Sequence, residues 1–187
     1  MEYPERLVWS INVLTTAFLN DTLIAGNCKA CAVGNLITAA IPTARPLFQT
    51  LFVTQSREQD NNKYEQVKVK GDSDIISHSL FEASFRIREK KLASPAMQRA
   101  RKEAVKQIEA LPYTLDEVAK IENTFEIAVD YEDIDIEAGE IENVERLFTR
   151  LQAVLKLLFS FEGLDYDEDI ELAFKAKPEL AAVLKKI

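Results

Sequence analysis

The chain has 187 residues, 47% of them hydrophobic and 29% charged, with only five glycines and six prolines; this excludes low-complexity and disordered classes and suffices for a core without staples. Its formal charge of −8 is unevenly placed: residues 1–112 hold 15 Lys and Arg against 12 Asp and Glu, whereas residues 113–187 hold 8 against 19. Two cysteines supply no disulfide framework and fit a reducing, cytoplasmic setting.

The opening MEYPERLVWSINVLTTAFLND places acids before its apolar run and lacks a basic n-region, so it does not read as a secretory signal. Leu7, Ile11, Leu14 and Phe18, spaced four, three and four, predict an amphipathic helix over 5–20. The uncharged stretches Leu7 to Asn20 and Ala30 to Ala44 fall short of the roughly 20 apolar residues that a bilayer span needs. A second helix is expected from about Cys28 to Ile41, capped by Asn27 and stopped by Pro42, with Val33, Leu36, Ile37 and Ala40 inward. The two helices would form a hairpin through NDTLIAGN.

Beyond Pro42 the pattern changes. PLFQTLFVTQ is apolar and rich in strand formers, and YEQVKVK alternates at Val67 and Val69. A short β-hairpin around 46–70 and a short helix followed by a loop are both compatible with that pattern. Residues 75–92 stay open between a strand alternating at Phe85 and Ile87 and the beginning of a long helix.

From Ser94 the signals sharpen. Ser94-Pro95 starts a helix running to about Leu111, with Met97, Ala100, Ala104, Ile108 and Leu111 inward and Pro112 as its stop. Thr114 with Glu117 is a capping box, and Leu115, Val118, Ile121, Phe125 and Ala128 continue as a stripe. After the acidic turn DYEDIDIEAGE, a helix is expected over about Glu140 to Glu162 on Ile141, Val144, Phe148, Leu151, Leu155 and Leu158, with Gly163 at its C′ position. The tail reads as one or two short helices broken near Pro178. No repeat period is visible.

The pieces GNCKACAVGNLI, LPYTLDEVAKIENTFEIA and LFTRLQAVLKLLFSFEG resemble a group of uncharacterised small proteins from bacteria and their phages. Members share a Cys-Ala-Val-Gly-Asn-Leu start, a YTxxELxxIExxFExA helix and a final LxAVxxVL helix. The resemblance implies no activity. Its last helix often carries an acid after AVx and a histidine at its end; this chain has Lys156 and Glu162 there, so no site built on those two groups carries over. Residues 43–110 have no counterpart.

Cys28-Lys29-Ala30-Cys31 is the one stretch with reactive groups. In the first turn of a helix capped by Asn27, Cys28 would be tuned toward thiolate by the dipole and by Lys29. A thioredoxin-like site would follow a strand, however, and here an amphipathic helix precedes it. Structural zinc needs four ligands where CxxC supplies two, and the single histidine, His78, lies in the ambiguous segment. The alternative is that both thiols fill a core where Gly34 permits close approach of the first helix. Core packing is the reading adopted, and no cofactor is assigned.

Glu122 and Glu126 have the i, i+4 spacing of carboxylate-bridged metal sites but lack the accompanying Glu-x-x-His pairs, which favours a solvated acidic face. Asp165, Asp167 and Asp169 alternate like a calcium loop, yet Ile170 and Ala176 stand where its glycine and bidentate glutamate belong. No Walker loop, dinucleotide fingerprint or catalytic triad can be assembled. The basic run at 86–106 could meet nucleic acid, against which a pI near 4.9 argues.

The expected architecture is mainly α: one small helical domain over 1–187, composed of a hairpin at 5–41, a variable insertion at 43–92 and helices at 94–187. The expected function is that of a non-enzymatic cytoplasmic accessory protein of phage or bacterial origin. It would act through protein contacts, with the acidic C-terminal part facing a basic partner. Two alternatives stand beside it. One is a binder of a nucleotide or other anionic metabolite near Arg86, Arg88, Lys90 and Lys91; the other is a metal or thiol protein built on Cys28 and Cys31.

Overall fold

Apolar stripes at helical spacing bury themselves against one another, and that requirement organises the chain. The computed structural model describes residues 3–25, 30–42, 52–59, 62–69, 75–76, 105–129 and 143–184, with backbone alone for the strands and for 183–184. Wherever side chains are described, the regular structure is helical. The protein is mainly α.

Helix α1 spans Glu5–Leu19 and α2 spans Ala32–Ala40. A helical stretch at 105–109 precedes α3, Leu115–Ile127, and α4 is Val144–Phe161. Three short helices follow: α5, Tyr166–Asp169; α6, Glu171–Ala176; and α7, Pro178–Leu184. Backbone pairing joins β1, Phe52–Gln59, to β2, Asn62–Val69, in antiparallel register from Phe52↔Val69 to Gln59↔Asn62, and β2 to β3, Ile75–Ile76.

Packing closes a ring in which α1 meets α2, α2 meets α3, α3 meets α4, and α4 returns to α1. Helix α6 adds a further layer against α1. The expected inward positions Leu7, Ile11, Leu14 and Phe18 of α1 are all buried, as are Val33, Leu36 and Ile37 of α2 and Val118, Ile121 and Phe125 of α3. Phe148, Leu151, Val154, Leu155, Leu158 and Phe159 fill the same core from α4. Edge-to-face rings fasten two of the joints: Phe18 on Phe148 at 6.0 Å and Phe159 on Tyr166 at 5.4 Å.

Several element ends follow their local chemistry. The Thr114–Glu117 capping box is complete, with Glu117 N–H donating to Thr114 Oγ1 at 3.2 Å and Thr114 N–H donating to Glu117 Oε2 at 2.9 Å. Gly163, at φ 68°, closes α4 as a Schellman motif: Leu164 N–H donates to Phe159 O and Gly163 N–H to Ser160 O. Helix α1 ends in the same geometry, but Asp21 takes the left-handed position at φ 56°. The tail breaks at Lys177, just before Pro178, as expected.

Two expectations need correction. Helix α2 starts at Ala32 and is capped by Cys31, not by Asn27. A thiol three residues before Gly34 reaches that residue's free N–H, and the Ala30 carbonyl just before it is already engaged by Ile24 N–H at 2.8 Å. Val144, assigned to the core stripe, is 58% exposed. Its periodicity is right, but Asn143 and Glu145 beside it are exposed as well, so this first turn stands clear of the core. Ile141, Met97, Ala100, Ala104 and the Ser94-Pro95 start lie outside the described residues, as does most of 75–92.

The two left-handed positions make opposite predictions. Gly163→Ala should cost about 1 kcal/mol, all of it backbone strain because an added Cβ meets nothing within 4 Å. Asp21→Gly should stabilise by up to about 1 kcal/mol. Urea midpoints of the two variants would show the two signs.

Candidate functional site

Cys31 is 2% exposed and sits where α2 begins. Its Sγ accepts the Gly34 N–H at 3.3 Å and donates to Glu122 Oε2 on α3 at 3.5 Å. The thiol therefore does three things: it fills core, caps a helix and links α2 to α3. Four residues on, the Asn35 amide donates to the carbonyls of Thr22, Ala30 and Cys31 at 3.1, 2.7 and 3.1 Å, holding the connection from α1 onto α2. Cys31, Gly34 and Asn35, three of the residues that carry the resemblance, are thus joined by one hydrogen-bonded turn. For Cys31 the core reading agrees with its burial; Cys28 and Lys29 lie outside the described residues.

Glu122 departs from expectation. Assigned to a solvated acidic face, it is 3% exposed and turned toward Cys31. The sequence did contain the signal, because Val118, Glu122 and Phe125 are spaced four and three, which is the period of the core face. Glu126, one turn on, is half-buried, and its backbone carbonyl is engaged by Arg150. The i, i+4 pair is therefore one interior carboxylate and one at the margin.

Arg150 is a buried group that the sequence reading missed. It is 0% exposed, and its Nη1 donates to the carbonyls of Phe125 and Glu126, both at 2.7 Å. These carbonyls belong to the last turn of α3, which has no basic residue of its own there. A cation supplied from α4 satisfies them and complements the negative end of the helix. A usable signal was the i, i+4 relation of Arg150 to Val154, which places the arginine on the buried side of α4.

A second polar cluster joins the N-terminus to the end of α4. Arg6 pairs with Glu117 at 3.1 Å and with Glu162, donates to Pro112 O at 3.1 Å, and covers the Tyr113 ring at 4.9 Å. The Tyr113 hydroxyl lies 2.8 Å from Ser10 Oγ and donates to the Arg6 carbonyl at 3.1 Å. Burial pushes the Tyr113 phenol up to about 12, against the opposing pull of the Ser10 hydrogen bond and the Arg6 charge. Glu162 is the residue standing where the resembled group often has histidine. Its partner is Arg6. Lys156, the other departure, lies over the Tyr166 ring at 5.6 Å and 3.6 Å from Asp167.

The outer surface of α5 and of the first turn of α6 is acidic. Asp165, Asp167, Glu168 and Glu171 are exposed, and residues 165–171 contain no base. Asp165 is a helix cap, its Oδ1 accepting from Asp167 N–H at 2.9 Å and Glu168 N–H at 3.2 Å. Asp169 accepts from the Tyr3 hydroxyl at 3.4 Å. The three members of the calcium-like alternation are thus engaged elsewhere: Asp165 by its own helix start, Asp169 by Tyr3, and Asp167 by Lys156.

Among the described residues no group of three or more His, Cys, Asp or Glu is placed to hold a metal ion. Among them also, no helix is long and apolar enough to cross a membrane. Arg86, Arg88, Lys90 and Lys91 lie outside the described residues. The chain matches no family model, no curated protein and no solved structure.

Three measurements check this geometry. In a Cys28→Ser background, Cys31 should react with a thiol reagent on the order of 100-fold faster in denaturant than in native buffer. Arg150→Ala should lower stability by about 3–4 kcal/mol in urea unfolding, because it strands one buried and one partly buried carbonyl and empties core volume. Alkaline titration should show the Tyr113 shift: an unfolded tyrosine ionises near 10 and the folded one at about 12. Below pH 10 both states keep the proton and the contribution is intact; as pH rises from 10 through 12 the unfolded chain loses it first, so stability falls. Tyr113→Phe should flatten part of that fall in the urea midpoint.

Proposed function

We propose that this protein is a non-enzymatic accessory factor of bacterial or phage origin that acts through protein contacts, presenting an acidic surface to a basic partner. The observation that carries the reading is the run of exposed carboxylates on α5 and α6, Asp167, Glu168 and Glu171 with Asp165 beside them. Exposed acids in excess of bases, here with only Lys156 beside Asp167 and Lys175 at the end of α6, generate a field that speeds encounter with a cationic surface and disfavours an anionic one. Among the described residues, the reactive groups Cys31 and Glu122 are buried against each other where α2 meets α3. Membership of the resembled group of small bacterial and phage proteins is part of the same proposal. Its support is the shared Cys-Ala-Val-Gly-Asn-Leu stretch, whose Cys31, Gly34 and Asn35 are joined in one turn.

The experiment is a quantitative pull-down with the intact chain and with Asp167→Lys/Glu168→Lys/Glu171→Lys, at low and moderate salt. These side chains are exposed, so the variant should keep the thermal midpoint of the parent within a few degrees. Basic partners held by the parent should be lost by the variant and weakened by salt. If the charge-reversed chain retains every partner, the acidic surface is not the contact.

A further inference from the structure

No further inference is drawn: the strongest candidate, the buried Cys31–Glu122 pair where α2 begins beside α3, rests on a single cysteine hydrogen-bonded within its own cluster, and no second observation in the structure points to a ligand there.

Discussion

A guanidinium kept wholly from water constrains how α3 and α4 can meet. Removing a charge from water costs on the order of several kcal/mol unless donors find acceptors. The acceptors for Arg150 are the Phe125 and Glu126 carbonyls, groups that a helix leaves without partners at its own C-terminus. Two deficits therefore cancel at one point, and they do so only when α3 ends beside the first turns of α4. The Phe125 ring, 5.8 Å from the guanidinium carbon, adds a contact to the same joint. Hydrophobic burial provides the driving force for the helical ring. The directional bonds of Arg150 set one position around it.

The Arg6 cluster does comparable work at another place. Arg6 reaches the α3 capping box through Glu117 and the end of α4 through Glu162, while its carbonyl receives the Tyr113 hydroxyl. Glu117 thus serves two roles at once, closing its own helix start and receiving a charge from α1. A charge-assisted bond to a group already held in place loses little side-chain freedom when it forms. This joint fixes α1, whose N-cap Pro4 offers no side-chain hydrogen bond, by contacts from elsewhere in the chain.

These commitments bear on function by occupying polar groups. Cys31, Asn35, Glu122 and Arg150 sit inside, and each makes a hydrogen bond that joins segments distant in the sequence or an element to its loop. Lys156 and Glu162, the departures from the resembled pattern, likewise have partners, Asp167 nearby in the chain and Arg6 on α1. What faces water over residues 165–171 is mainly carboxylate, while Lys175 is exposed at the end of α6. Among the described residues the exposed large apolar side chains are Ile24, Ile127 and Val144, Ile127 the most exposed at 68%. A few exposed apolar side chains are ordinary, so the charge of the described surface is its more distinctive property.

The sequence by itself determined the helices and many of their ends. Core periodicity named Leu7, Ile11, Leu14 and Phe18, and the Thr114–Glu117 box and Gly163 marked their turns, because each depends on residues within a few positions of one another. Tertiary structure decided the fate of the polar side chains. Glu122 read as surface because charge ordinarily means solvent, yet it occupies a core-spaced position and meets a thiol 91 residues earlier in the chain. Cys31 displaced Asn27 as the cap because the Gly34 N–H lies within reach of its sulfur. Arg150 was invisible as a helix cap because the carbonyls it serves lie about 25 residues away on another helix. Periodicity is a property of neighbours along the chain, whereas the satisfaction of a buried charge depends on which distant backbone is brought beside it.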